Sequence, residues 1–292
     1  MINERTQKIL ASHRSFRAEC AKMNAVGTRM RIEGVDVIVH APKEKRADMP
    51  VLFALHGGAW VGGDAVQTDY LMKTLADTAS VYAVNVNYTK LDEKPYPNPL
   101  NEVLAVVTHF QKNSALYGID PNKCVLMGCS AGAHLSACAA IMAKDKGIPI
   151  ARQILVYPFL DWTGETDQYL QKNGISKIPF EEIVPMFFEG ADLHHKYISP
   201  MAAKKEELTG MAPCDIIACG KDILLPHAIG YYEKLTSFGL CATYKFYENA
   251  LHGFIEVNQP DHLIKGNPAT NDEQAAYARD LEAYISEILR KL

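Results

Sequence analysis

Six short, nearly continuous apolar runs, separated by segments long enough to hold a helix, constrain this chain more than any other feature. VLFALH, after Pro50, shows no polar alternation, so it reads as a strand buried on both faces, as in a parallel sheet. VYAVNVNY (81–88), CVLMG (124–128), QILVYPF (153–159), CDIIACG (214–220) and ATYKFYE (242–248) repeat the theme. Between them, residues 70–78, 100–114, 131–143 and 228–238 look helical, and an amphipathic stretch at 272–289 closes the chain. Parallel neighbours need long crossovers, which helices fill. The pattern predicts an α/β fold with a mostly parallel central sheet and helices on both faces.

Ahead of the sheet, Ile9, Leu10, Phe16 and Ala21 recur at helical spacing among charges, which predicts one or two amphipathic helices over residues 4–24. Met30, Ile32, Val35, Val37 and Val39 then alternate around Glu33-Gly34, the pattern of a β-hairpin. One stretch breaks the rhythm. Residues 162–211 contain no clear core strand, and FEEIVPMFFEGADL (180–193) reads as a helix showing Ile183, Met186 and Phe187 on one side. We therefore assign N-terminal helices to 1–27, a core to 28–161 and 212–292, and an inserted cap to 162–211, which the N-terminal helices join.

With 48% apolar and 22% charged residues, the 292-residue chain has ample material for a core and none of the bias of a disordered protein. A net charge of -4 leaves no basic face for nucleic acid and no polybasic tract for anionic lipid. No apolar run is long enough to cross a bilayer, and MINERTQKILASHRSFRAEC lacks the apolar centre of a secretory signal. The seven cysteines (Cys20, Cys124, Cys129, Cys138, Cys214, Cys219, Cys241) form no CxxC pair and no zinc-like spacing with histidine, so they read as reduced core thiols. The expectation is a cytoplasmic protein whose partner is a small molecule, with neither nucleic acid nor membrane involved; a homodimer is left open.

The chemistry is written at Gly128-Cys129-Ser130-Ala131-Gly132, which follows a predicted strand and opens a predicted helix. That is the context a G-x-S-x-G nucleophile elbow requires, and the small flanking residues give the sharp turn room. A second motif, His56-Gly57-Gly58-Ala59-Trp60, ends the run VLFALH at the strand edge where ligands bind in such sheets. Acyl transfer builds an oxyanion that needs preorganised donors, and glycine-rich backbone brings N–H groups close without obstruction. We assign that hole to the N–H groups of Gly57, Gly58 and Ala131, with Ala59 as a further candidate and His56 in a structural role.

A serine hydroxyl needs a base, and the base needs an acid to fix its tautomer. His252, in Leu251-His252-Gly253-Phe254 directly after the last strand, is the candidate base. His134 reads as a packing residue on the helix after Ser130, and His194 and His195 fall in the cap. Asp222, in the turn after CDIIACG, is the candidate acid; Asp161 and Glu248 compete less well for position. For the pocket, we nominate Trp60, Tyr88 and Leu251, with Phe187 and Phe188 from the cap, core packing being the alternative role for each.

Together HGGAWVGGD (56–64), VNYTKLDEKPYPNPLNEV (86–103), GCSAG, the SPM step at 199–201, GKDILL (220–225) and LHGF resemble the hormone-sensitive-lipase-like branch of the α/β-hydrolases, a group of bacterial esterases, over residues 50–256. The resemblance implies an α/β-hydrolase fold, a Ser130, His252, Asp222 triad, an oxyanion hole at the glycine loop, a cap, no metal or organic cofactor, and a small acyl ester as substrate. Two positions depart from it: HGGA has alanine where a third glycine is common, and Cys129 stands where aspartate is common. GCSAGAHL is also similar to the elbow of the arylformamidases, and HGGAW to acetyl esterases acting on sugars. A hydrolase-like scaffold that only binds its ligand is the non-enzymatic alternative.

Overall fold

A computed structural model describes residues 3–166, 180–260, 262–263 and 266–292. Among these, eight strands form one sheet: β1 (Thr28–Ile32), β2 (Val35–His40), β3 (Met49–Leu55), β4 (Tyr82–Asn87), β5 (Ile119–Cys129), β6 (Arg152–Val156), β7 (Cys214–Cys219) and β8 (Ala242–Tyr247). Their spatial order is β1-β2-β4-β3-β5-β6-β7-β8. β2 is antiparallel to both neighbours, and all later pairs are parallel. The expected sheet is present, and so is the hairpin, closed by Glu33 and Gly34, both at positive φ.

Successive side chains of a strand face opposite sides, so a strand apolar throughout feeds two cores at once. Val51, Phe53 and Leu55 of β3 pack with Val103, Val107 and Phe110 of helix Asn98–Lys112 and with Leu135 of helix Ala131–Asp145. Leu52 and Ala54 point the other way, onto Leu71 and Leu75 of helix Asp69–Ala79 and Leu281 and Ile285 of helix Asp272–Arg290. Helix Leu225–Ser237 covers β7 and β8, with Tyr231 and Leu235 in the core beneath it. Each such fully buried side chain contributes about 1.5–3 kcal/mol of transfer free energy.

The chain leaves β3 for β4 on one side and returns to place β5 on the other, so β3 and β5 flank the point where strand order reverses. In parallel sheets a crevice opens there, beyond the carboxyl ends of the strands. Both glycine motifs sit at this crevice. The first turn of helix Ala131–Asp145 lies hard against the end of β3: a Cβ at Gly132 would stand 2.0 Å from the Leu55 carbonyl oxygen.

Several boundaries differ from expectation. The N-terminal segment forms one helix, Glu4–Cys20, with Asn3 capping it through the Thr6 N–H. β5 begins at Ile119 rather than Cys124, because Met49 pairs with Ile119 before the register shifts and Val51 meets Cys124. β6 stops at Val156, since Tyr157 turns to φ 37°. The helix expected over 180–193 spans Phe180–Phe188 and ends where Glu189 and Gly190 take positive φ. Six cysteines are buried as expected, but Cys241, in the turn before β8, is exposed and is no core thiol.

Of the segment assigned as an insertion, residues 167–179 lie outside the described residues. The rest holds helix Phe180–Phe188, a 3-10 turn at Pro200–Ala202 and the short helix Lys205–Leu208. Ile183, Phe187 and Phe188 bury against the core, and the Phe187 carbonyl accepts from the Tyr96 N–H at 2.9 Å. The N-terminal helix meets this segment: Asn3 donates its backbone N–H to Glu182 at 2.7 Å. Arg14 and Arg17 tie the same helix to the buried carboxylate of Asp92.

Replacing Gly132 by alanine is expected to lower unfolding free energy by at least about 1–3 kcal/mol, the cost of overpacking a site that cannot relax, because the clash is with backbone. Denaturant unfolding followed by circular dichroism measures this; an unchanged midpoint would show that the helix retreats freely from β3.

Candidate active site

Ser130 stands between β5 and the helix it opens, at φ 55° and ψ -117°. Few residues with a β-carbon adopt this region, and doing so costs about 1–3 kcal/mol. The turn lifts the side chain out of the sheet toward the crevice and keeps it at the positive end of the helix dipole. The Ser130 N–H is held by the Val156 carbonyl at 2.9 Å, so the adjoining strand anchors the strained residue.

The structure brings Ser130, His252 and Asp222 together from three separate strand ends. His252 Nε2 lies 2.9 Å from Ser130 Oγ, and Nδ1 lies 2.6 Å from Asp222 Oδ2. A carboxylate only accepts, so Nδ1 carries the hydrogen and Nε2 offers its lone pair to the serine hydroxyl. Asp222 is buried, and its other oxygen accepts from the Leu224 N–H at 2.9 Å. One Asp222 oxygen thus closes its own turn while the other faces the imidazole. Partial desolvation of the imidazole, whose outer edge stays open to the cleft, disfavours its charged form, but the hydrogen bond and charge of Asp222 outweigh this and raise the His252 pKa above its ordinary value.

The competing candidates are engaged elsewhere. Asp161 accepts from Thr163 and the Thr166 N–H, closing its own turn. Glu248 is exposed, as is His194, which faces Glu165 and Asp192. His134 accepts from Trp60 Nε1 at 3.0 Å and donates to the Ile198 carbonyl at 2.6 Å. Burial lowers its pKa to about 4, so it is a neutral strut for Trp60.

The glycine loop is fastened from behind. Tyr88 donates its hydroxyl to the His56 carbonyl at 2.8 Å, and the His56 ring stacks on Tyr88 and reaches the Gly57 carbonyl from Nδ1 at 2.7 Å. Gly58 has φ 126°, and a Cβ there would meet Gly62 backbone at 2.5 Å, so this conformation requires glycine. Gly57 lies beside Ser130: a Cβ on it would be 3.6 Å from the serine Cβ. Among the described residues, no backbone carbonyl accepts from the amides of Gly57, Gly58 or Ala131.

Ser130 opens on a cleft of about 400 Å³ lined by Ala59, Trp60, Phe159, Leu224, Leu251 and Pro268, with Lys221 and Asn267 among its polar groups. Of the nominated pocket residues, Trp60 and Leu251 line it. Tyr88 does not; it is buried beneath His56. Phe187 and Phe188 do not either, because they pack around Trp162 below the cleft wall. The sequence reading missed Phe159, Lys221, Ile223 and Leu224, although the last three flank Asp222 and a turn after a central strand could have pointed to them. It also missed Glu256, which accepts the Tyr157 hydroxyl and lies 3.3 Å from where a Gly57 Cβ would stand. Cys129 is buried, and burial followed by the charge of Glu256 pushes its thiol well above the usual range.

Among the described residues, no group of three His, Cys, Asp or Glu side chains is placed to hold a metal ion, and no helix is long and apolar enough to cross a membrane.

Comparison with known proteins agrees with the architecture. The sequence model of a family described as alpha/beta hydrolase fold matches residues 52–256. The carboxylic ester hydrolase LipN of Mycobacterium tuberculosis is 26% identical over 301 residues, covering 96% of this chain and 77% of its own. The carboxylesterase NlhH of the same organism is 28% identical, covering 76% and 71%. A solved arylesterase structure superposes with a TM-score of 0.76 at 19% identity, covering 96% of this chain and 90% of its own, which speaks to the fold alone.

NMR titration of the His252 ring should give a pKa above the ordinary histidine value of about 6.5. Asp222→Asn should lower it, because the carboxylate stabilises the imidazolium. An unchanged pKa in the variant would show that the 2.6 Å contact carries no charge coupling.

Proposed function

This chain belongs to the alpha/beta hydrolase fold family, and on that premise we propose that it is a serine esterase cleaving carboxylic esters of small acyl groups through an acyl-enzyme. The observation that carries the reading is the unbroken hydrogen-bonded chain from Asp222 through His252 to Ser130 Oγ, all three lining one cleft. The curated relatives named as carboxylic ester hydrolases support the choice of bond.

In this mechanism Ser130 Oγ attacks the ester carbonyl carbon as its proton passes to His252 Nε2, and Asp222 stabilises the resulting imidazolium. The carbonyl oxygen becomes an oxyanion facing the amides of Gly57, Gly58 and Ala131, which are fixed before the reaction and need no reorganisation. Collapse expels the alcohol, which takes the proton from His252. A water then gives its proton to the same nitrogen and attacks the acyl-enzyme. A second tetrahedral intermediate collapses to release the acid and restore Ser130.

The cleft lining suits a short acyl group: Trp60 and Phe159, both buried with ring centroids 5.0 Å apart, line the same cleft as Ser130. The apolar lining suits acetyl or butyryl better than a charged acid.

A fluorophosphonate probe should label wild-type protein and spare Ser130→Ala, and that variant should lose about 10⁴-fold or more of the esterase rate. p-Nitrophenyl acetate and butyrate should be cleaved faster than long-chain esters, N-formylkynurenine or acetylated sugars. Folded wild-type protein that neither labels nor turns over esters would make this a binding scaffold, and equal rates on long chains would end the small-acyl reading.

A further inference from the structure

Lys90 follows β4 and is 3% exposed, an unusual place for an ammonium. Its Nζ donates to the Tyr88 carbonyl at 2.6 Å, to Asn87 Oδ1 at 3.0 Å and to His56 Nε2 at 3.0 Å. Three acceptors saturate the three hydrogens of an ammonium. Among the described residues, no carboxylate is paired with it. Burial pushes its pKa down to about 8, against the more distant charges of Asp64, Glu93 and Glu102, with Arg17 adding to the depression. An aliphatic side chain would fill the space at lower desolvation cost, so the position favours a donor for something it does.

The contact with His56 shows what that is. His56 Nδ1 faces the Gly57 carbonyl, which only accepts, so Nδ1 carries the hydrogen and Nε2 must present a lone pair. Lys90 donates into that lone pair. In water both neutral tautomers of imidazole are populated; here the ammonium permits one. The Gly57 carbonyl shares a planar trans peptide with the Gly58 N–H, and the two point in opposite directions. Whatever fixes the carbonyl aims the amide.

We propose that Lys90 is a positioning residue for the glycine loop: by holding His56 in its Nδ1–H tautomer, it fixes the Gly57–Gly58 peptide plane and directs the Gly58 amide toward the reacting carbonyl. This rests on the reading of Gly58 as an oxyanion donor. The neighbouring plane is held by a different contact, the Tyr88 hydroxyl on the His56 carbonyl, although Lys90 also touches Tyr88 at its carbonyl and over its ring. Lys90 therefore acts through His56 on one donor of the set, the Gly58 amide.

Nitrogen-15 NMR of the wild-type imidazoles, which needs no variant, should show His56 solely as the Nδ1–H tautomer. Lys90→Met keeps the stem without the donor. It should lower kcat on p-nitrophenyl acetate about tenfold, less than the outright loss of a donor, with KM within about twofold and His56 in mixed tautomers. In a His56→Phe background, Lys90→Met should cause no further loss of kcat, as expected for residues acting in series. An Nε2–H tautomer in wild type, an unchanged kcat in Lys90→Met, or equal losses in both backgrounds would each overturn the proposal; should the variants not fold, the wild-type tautomer alone decides. Failure of the esterase reading is distinguishable, since wild-type protein would then resist the fluorophosphonate probe whatever tautomer His56 adopts.

Discussion

Everything at the crevice depends on how closely the helix after β5 approaches the end of β3. A backbone contact of that kind is available only to glycine, and Gly132 provides it against the Leu55 carbonyl. It sets the height of the helix N-terminus, and with it the angle at Ser130 and the distance from Ser130 to the loop that continues β3. Parallel pairing of β3 with β5, from Val51 opposite Cys124 to Leu55 opposite Gly128, carries that placement back into the core. Asp222 and His252 arrive by the same logic, from the turns beyond the carboxyl ends of β7 and β8 respectively. The site is thus assembled from strand ends whose positions the two-sided core determines.

Around this frame the polar groups are arranged in two sets. On the cleft side, Asp222, His252 and Ser130 form a chain open to solvent at the imidazole, whose side chain is 40% exposed. Behind the glycine loop, Tyr88, His56, Lys90 and Asn87 form a second chain that is closed to solvent almost throughout, and Asn87 passes it on to Asp64 at 2.8 Å. The first set can exchange protons with a bound molecule. The second holds the backbone still, as low dielectric and full satisfaction of donors make such networks stiff.

Much of this was legible in the sequence because its signals are local. GCSAG between a strand and a helix, HGG at a strand end, and Asp222 and His252 just after strands each announce themselves through their immediate neighbours. Lys90 did not, because nothing in VNYTKLDEK says that this lysine turns inward while Lys94 does not. Glu256 reads as one face of a short helix until Tyr157 arrives from β6. Tyr88, Phe187 and Phe188 were nominated for the pocket because large apolar residues near strand ends suit it; which side of the glycine loop each would occupy is set by packing among Trp162, Tyr96 and His56, all distant in sequence. β5 starts early because Ile119 pairs across the sheet despite the turn-like Asp120-Pro121, a case of tertiary pairing overriding local preference.

The backbone angle at Ser130 has a consequence for descent as well as for chemistry. A residue with a β-carbon held at φ 55° costs stability that glycine would not. Selection for folding alone therefore pushes this codon toward glycine, and serine is kept only while its hydroxyl is useful. Under the proposed serine chemistry, position 130 is in that sense a record of use: in any lineage of this chain released from that chemistry, it is among the first places where drift and stability would agree on the same replacement.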